Sequence, residues 1–446
     1  MFICEMEKDD FEVFLESIKE KVRDLLPRYL GVIFFLVLLF SFVVLCYANY
    51  YRVQTNTESA RYMLSALVQS QAAIIAIVIS LTLITVQLTA SAYSIRVINI
   101  FKRSFGWQAL FVFYGISIFY GLLVLKMIKG ANDFSHELSS ITYLNIPLET
   151  HITNVYSLGG LTFLMLILYL QSIFNLLNPV NIINRLKIDI TKDALLNSEE
   201  DPIQPIMDIV HGSIMKYDIE TTRVGLKAVT DRVIEIIDSN CEDEISEDFC
   251  HHLRRVASSA ARIGDEEAIV AVIKNLTSFM KSEAEKKLEY ASMQAIYSIG
   301  TIGMNAVNKG LEYATGEAAW CLGEVGKTAL NEDLKGADDA AWYLGEIGKI
   351  ATKKELTDEA MNAEVVYSLV TIGIIAEKKE PSPFTPIWQA SLSLAELARL
   401  NEEIAKKAIR ECESKLKKQD RESFQKFIKI YEQKLEELRA EKKNSE

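Results

Sequence analysis

From Met63 to Tyr93 the chain runs without a single Asp, Glu, Lys, Arg, Pro or Gly. At about 1.5 Å of rise per residue, such a stretch crosses a bilayer as one helix and extends beyond it. A transmembrane helix over residues 62–93 is therefore expected. With about 100° of turn per residue, Gln69, Ala73, Ala76, Ser80, Gln87 and Ser91 fall along one side, which is small and polar. Lipid cannot satisfy a Gln amide, so this side is expected to meet other helices or water. Ala72, Ala76 and Ser80 have the four-residue spacing that lets two backbones approach closely, which favours helix packing over a water-lined path. The basic turn that follows, with Arg96, Lys102 and Arg103, suits a cytoplasmic headgroup surface.

Three further apolar runs complete an expected four-helix membrane domain over residues 29–183: 29–50, 107–128 and 155–177. Each is long enough to span the hydrocarbon core. Residues 1–28 begin MFICEMEKDD, which lacks the basic start and cleavage site of a removable leader. Phe11, Phe14, Leu15, Ile18, Val22 and Leu25 recur at helical spacing there, giving an amphipathic helix whose polar side is acidic. A protein surface suits that helix better than anionic lipid. Lys19, Lys21, Arg23, Arg28, Arg96, Lys102, Arg103, Arg185, Lys187 and Lys192 flank the spans on one side, against Arg52, Arg61, Lys126 and Lys129 on the other. The excess places both termini in the cytoplasm of a multi-pass cell-membrane protein. Only Lys126 lies inside a hydrophobic segment, near its end, so a proton-coupled pump is disfavoured.

The run SLTLITVQLTASAYSIRVINIFKRS from Ser80 to Ser104 resembles the signature of a prokaryotic family of predicted membrane proteins of unknown function, domain-of-unknown-function family 2254. The likeness rests on a Ser-rich second membrane helix with Gln87 and Ser91, then Arg96 and a basic turn. It extends from about Tyr29 to Ile183, a domain-sized stretch. It implies a membrane domain and brings no catalytic or binding residues.

Charge is divided unevenly. Up to Leu177 the chain carries 12 acidic and 12 basic residues, so the formal charge of −12 lies entirely in the remainder. An acidic tail lacks the basic footprint that nucleic acid requires. The 6 cysteines are scattered without a CxxC pair, which is reduced, cytoplasmic usage. Cys241, Cys250, His251 and His252 match no zinc spacing, so no metal and no cofactor is expected.

From Asn181 the pattern is helical and self-similar. AIYSIGTIG from Ala295, AAWCLGEVG from Ala318, AAWYLGEIG from Ala340 and VVYSLVTIG from Val365 are four copies at intervals of 23, 22 and 25 residues. ASLSLAELA from Ala390 is a worn fifth, and ASSAARIG ending at Gly264 a sixth. Such units bury their faces only by stacking. Over roughly Val256 to Asn401 the string AAxxLGxxG resembles the HEAT-like repeats of phycobilisome lyases, which implies an α-solenoid in a cytoplasmic repeat domain of residues 184–401. An all-α chain ending in a charged C-terminal helix or hairpin at 402–446 is the expected whole.

Tyr297, Trp320, Trp342 and Tyr367 occupy one column of the repeat, and aromatics in register are expected in the core rather than along a binding groove. The paired glycines, Gly300 with Gly303, Gly323 with Gly326 and Gly345 with Gly348, are explained by close helix contact. Gly326, Lys327 and Thr328 imitate the end of a phosphate-binding loop, but the first glycine of that motif falls on Cys321. No catalytic signature appears, so an enzyme is not expected; a lyase activity would rest on fold analogy alone. The leading expectation is a membrane-anchored scaffold whose partners are the bilayer and an unidentified cytoplasmic protein. The alternative is a homo-oligomeric channel lined by the second helix.

Overall fold

The computed structural model describes residues 57–92, 105–132, 142–143, 146–197, 201–239, 241–354, 359–379, 386–417 and 420–445. The expected N-terminal helix, the first expected span at 29–50 and the basic turn with Arg96, Lys102 and Arg103 lie outside those residues. The chain divides into two compact units, Met1–Leu88 with Ile98–Leu176 and Thr89–Val97 with Leu177–Glu446.

The first unit holds α1 (Thr57–Ala92), α2 (Phe105–Asn132) and α3 (Leu148–Leu177). Three helices among the described residues are therefore long and apolar enough to cross a membrane, where four spans were expected in the whole chain. The described residues are almost entirely helical, as expected; a two-residue antiparallel pairing of β1 (Thr142–Tyr143) with β2 (Ile146–Pro147) leads into α3. α3 starts at Leu148 rather than Val155 because its first turns are amphipathic: Leu148, Ile152 and Val155 pack on Ala60, Leu64, Val124 and Ile128. The buried side of α1 is Leu64, Val68, Gln71, Val78, Thr82 and Thr85, an alternation of four and three that forms a coiled-coil-like seam.

The second unit is an array of helices: α4 (Pro179–Asp189), α5 (Lys192–Asn197), α6 (Gln204–Ile214), α7 (Ile219–Ile236), α8 (Glu242–Ile263), α9 (Glu266–Glu285), α10 (Glu289–Lys309), α11 (Glu312–Asn331), α12 (Ala337–Lys353), α13 (Glu359–Lys379), α14 (Pro386–Leu400), α15 (Glu402–Lys415) and α16 (Arg421–Ser445). Each sequence copy is a single helix. From α7 onward a helix packs on its next-but-one neighbour, so α8, α10, α12, α14 and α16 form one layer and α7, α9, α11, α13 and α15 the other. The two-helix period is thus the sum of two copies, and Gly300 recurs as Gly345 after 45 residues.

The helices end alike. A left-handed residue closes four successive helices at 23-residue intervals: Gly264, Lys287, Gly310 and Asp333. The following amides turn back onto the helix, as Leu288 N to Glu283 O at 2.9 Å and Leu334 N to Ala329 O at 2.8 Å. These bonds satisfy carbonyls that the helix leaves open. Lysines complete the job across the layer: Lys309 Nζ donates to Ala261 O at 3.0 Å and Lys379 Nζ to Asn331 O at 2.9 Å, while Lys354 reaches Asn308 O. A cation at a helix C-terminus is favourable to the helix dipole as well.

The glycines stand where the layers close. A Cβ on Gly303 would lie 2.7 Å from Ile347 Cδ1, one on Gly326 2.8 Å from Ile372 Cδ1, and one on Gly348 2.7 Å from Leu397 Cδ2. On Gly300 it would fall inside the Tyr343 ring. Of the helix or hairpin expected at the C-terminal end, the structure has two helices: α15 extends the odd layer, and α16 packs on both α13 and α14, burying Phe424, Phe427, Tyr431 and Leu435. Its buried edge supplies a closed end for the array.

Candidate functional site

The aromatic column is not core. Tyr297 is 49% exposed, Trp320 44%, Trp342 43% and Tyr367 39%, and Trp388 in α14 joins them at 38%. The reason is the alternation of layers. Small residues, Gly300 with Gly303 and their equivalents, fill the helix contacts, and the ring three positions earlier is turned outward. Because successive copies lie in opposite layers, one column of sequence becomes two rows. Tyr297, Trp342 and Trp388 stand on the layer of α8, α10, α12, α14 and α16; Trp320 and Tyr367 stand on the other.

Cations lean on both rows. Arg254 Cζ sits 5.2 Å from the Tyr297 ring centre and Lys434 Nζ 5.2 Å from Trp388, while Lys327 Nζ lies 5.9 Å from Tyr367. These distances fall within cation–π range. Tyr343 ties the first row together, with its ring 6.3 Å from Tyr297 and 4.8 Å from Trp342. Burial pushes the Tyr343 hydroxyl up to about 12. Arg254 donates to Ser298 Oγ at 2.8 Å and meets no carboxylate among the described residues. On the second row, burial works to raise the Glu324 carboxyl, but Lys327 at 2.6 Å and Lys281 outweigh it and hold it below the usual range. Lys327, the residue that imitates a phosphate-binding lysine, is thus committed to Glu324 and Tyr367.

In the membrane-type unit the polar side read from the sequence is exposed. Gln69, Ala72, Ala73, Ala76, Ser80 and Gln87 all face away from α2 and α3, so the Ala72, Ala76 and Ser80 ladder is not a contact among the described helices. α2 and α3 occupy the opposite side of α1, where the four-three seam runs. Gln69 Nε2 reaches only Ser65 Oγ at 3.4 Å, and Ser80 Oγ donates to Ala76 O at 3.1 Å. Ser91 lies in the last turn of α1. The glutamine that the bundle buries is Gln71, whose Nε2 donates to Ser117 Oγ at 2.9 Å and Thr162 Oγ1 at 3.0 Å, joining all three helices. Thr82 and Tyr169 share a second bond at 2.7 Å. The seam periodicity through Gln71 was the signal that would have found it.

A third cluster joins α6 to α8. Asp201 Oδ2 lies 2.6 Å from His252 Nε2, and the half-buried His211 feels the charges of Arg255 and Asp208. Burial opposes the Asp201 carboxylate, but His252 and the Ile203 amide together hold it below its usual value. Burial, aided by Arg255, His252 and Arg262, pushes His211 down from its ordinary 6.5 against the weaker pull of Asp208. Between the lowered folded value and the unfolded one, the unfolded chain binds more protons, so stability falls as pH drops through this window and levels below it. Thermal unfolding of the full-length protein between pH 7.5 and pH 5 is expected to show that loss, and His211→Gln to flatten its slope. Two buried cysteines are poor nucleophiles: burial pushes the Cys250 thiol in α8 up to about 12 and the Cys321 thiol in α11 up to about 11. Among the described residues no three His, Cys, Asp or Glu side chains gather where a metal ion could be held.

Three membrane-capable helices followed by a packed helical array define a helical membrane protein. Residues 26–239 match the model of a family described as Predicted membrane protein (DUF2254). The match runs through α7, past the Ile183 limit drawn from the sequence, so the first helices of the array fall within the family pattern while α8 to α16 lie beyond it. No curated protein and no solved structure matches the chain.

Proposed function

We propose that this is a non-enzymatic, multi-pass cell-membrane protein with both termini in the cytoplasm, whose HEAT-like α-solenoid holds a cytoplasmic protein partner. The observation that carries the reading is the pair of aromatic rows. Large rings that a stacked helix could have buried stand half exposed, repeat after repeat. Such area in water is unfavourable to the isolated chain and is enriched where proteins bind one another. A photo-crosslinking residue placed singly at positions 297, 320, 342 and 367 of the full-length protein in its native membrane is expected to yield a discrete adduct with a soluble protein from at least one row. If none of the four gives an adduct, the scaffold reading falls.

A second reading is supported by the exposed polar side of α1. Gln69, Ser80 and Gln87 are exposed on the described helices and would be solvated in a homo-oligomeric channel with that side toward water. Ser80→Cys and Gln87→Cys would then react with a water-soluble thiol reagent, and Gln87→Leu would alter ion flux in liposomes. Unreactive thiols and no flux would leave that side as a packing surface.

A further inference from the structure

We infer that the turn Met215–Tyr217, together with Arg255 and Arg262 on the adjoining side of α8, seats the start of the helical array on the anionic headgroups of the bilayer. The contact goes beyond the scaffold reading and is independent of what the aromatic rows hold. Its position carries the first part of the argument. α3 ends at Leu177 and α4 begins at Pro179, so at most about 7 Å of chain separates the array from a membrane-capable helix. Within the array, a Cβ on Gly225 of α7 would lie 2.5 Å from Val210 Cγ2 of α6 and 3.6 Å from Ile183 Cδ1 of α4. Further along the same two helices, Arg232 Nε donates to Ile190 O at 2.9 Å. α4 and α7 therefore run in the same sense, and Pro179 stands level with the first turn of α7. The turn that precedes α7, Met215–Asp218, is at that end. α8 brings its C-terminal half there as well, because His252 meets Asp201 ahead of α6 at 2.6 Å, and His211 further along α6 feels Arg255 and Arg262.

The turn itself carries the second part. Tyr217 adopts the left-handed conformation, φ 56°, in the place where Gly264 and Gly310 close later helices. A bulky side chain is strained there, and glycine is not. Tyr217 N donates to Ile214 O at 3.0 Å and Asp218 N to Ser213 O at 2.9 Å, so hydrogen bonds hold the turn in this form. The ring is more exposed than any in the two aromatic rows, and Met215 is nearly as exposed. The strained tyrosine thus gains no burial from the fold. A membrane interface supplies that burial, since tyrosine is enriched at headgroup level with its ring toward the acyl chains and its hydroxyl toward water.

Charge selects the lipid. Arg255 and Arg262 are exposed, Arg262 donates to Ser259 Oγ at 3.3 Å, and neither is ion-paired among the described residues. Lys216 is exposed within the turn. The carboxylates nearby are engaged inside the array. Asp218 and Asp265 cap α7 and α9, where they face the positive ends of those helices. Glu266 accepts from Ala314 N at 2.8 Å, Glu267 pairs with Arg223 at 3.4 Å, and Asp208 accepts from Gln204 Nε2 at 2.6 Å. Glu220, exposed in the first turn of α7, opposes the cations. In a chain of formal charge −12 this end presents cations beside two exposed apolar side chains, the combination by which surface segments hold anionic membranes. The bilayer is the anionic surface that the chain's own connection brings to this end.

The test reads depth in the full-length protein. An environment-sensitive fluorescent residue is placed at position 215, and separately at 188, in vesicles of equal parts phosphatidylcholine and phosphatidylglycerol doped with a lipid carrying a nitroxide near the top of its acyl chain. Ile188 is at least as exposed as Met215 but lies at the other end of α4. Quenching at 215 is expected to exceed that at 188 about twofold or more, because an interfacial side chain sits about 5–10 Å into the headgroup and acyl boundary. Replacing the phosphatidylglycerol with phosphatidylcholine is expected to lower quenching at 215 about twofold, and Arg255→Gln with Arg262→Gln to make the two lipid mixtures equivalent. Tyr217→Gly relieves the left-handed strain, so it is expected to keep or raise the thermal midpoint while quenching at 215 falls. That pairing separates lost contact from lost folding. No quenching at 215, equal quenching at 188, indifference of the parent to phosphatidylglycerol, an unchanged lipid preference in the arginine variant, or unchanged quenching with Tyr217→Gly would each overturn the inference. So would a photo-crosslinking residue at 215 that captures a protein and no lipid. Adducts at positions 297, 320, 342 or 367 bear on the scaffold reading alone.

Discussion

Phe427→Ala loosens the C-terminal end of the helical array by about 3–5 kcal/mol, the usual range for a fully buried phenylalanine. Phe427 is completely buried, and α16 packs on both α13 and α14. The ring lies against the bare backbone of Gly373, where an added Cβ would fall within it. Gly373→Ala therefore costs about 1–3 kcal/mol on its own by overpacking. Combined, the two changes should cost clearly less than their sum, because the small side chain at 427 makes room for the new methyl group. A coupling of about 1 kcal/mol or more is expected from residues in direct contact. Urea unfolding of the full-length protein followed by intrinsic tryptophan fluorescence, with amide exchange in α14 and α16, measures all three variants. Strict additivity would mean that Phe427 and Gly373 do not share one contact. The amides of α14 should lose protection together with those of α16, since terminal helices shield the unit beneath them.

Gly121→Leu separates α1 from α2. A Cβ at Gly121 would stand 2.6 Å from Val68 Cγ2 and 3.5 Å from Val155 Cγ1, so a larger side chain is driven into the junction of all three membrane-type helices. Overpacking of this kind costs about 1–3 kcal/mol, and more where the backbone must move. In a bilayer the loss is felt directly, because close packing rather than hydrophobicity holds such helices together. Gly160→Leu is the matched control: nothing lies within 4 Å of its built Cβ. The thermal midpoint and the fraction of monodisperse protein after detergent extraction should fall for Gly121→Leu and remain unchanged for Gly160→Leu. Val68→Ala in the same chain should recover part of the loss. Equal behaviour of the two leucine variants would place the α1 contact elsewhere.

These two sites also divide what each level of description makes legible. The glycines that close the helix contacts were readable, because glycine is costly inside a helix and its regular recurrence needs a packing reason. Phe427 was not: the spacing of Phe424, Ile428, Tyr431, Leu435 and Leu438 gives one apolar stripe, and only the position of α16 across two helices brings Phe427 to its centre. The helical end turns were half readable. Gly264 and Gly310 announce a left-handed residue, but Lys287 and Asp333 adopt the same conformation at the same 23-residue interval without any such mark.

The candidate surfaces show the same division. In α1 the sequence identified a polar side through Gln69, Ser80 and Gln87 and expected helices against it; the described helices pack on the opposite side, through Gln71. Both sides have helical periodicity and both contain glutamine, so helix geometry alone does not choose between them. In the array, an alignment of Tyr297, Trp320, Trp342 and Tyr367 implied one shared environment. Alternate helices face opposite ways, which splits the column into two exposed rows.

The sequence by itself determined the quantities that depend on neighbours along the chain: a long uncharged membrane helix, the helical repeat and its period, and the glycines that permit close approach. The direction in which each helix turns its polar or aromatic side was decided only by tertiary packing. That choice is made by whichever opposing surface fills the space around small residues, and the fit depends on residues about 45 positions away in the chain.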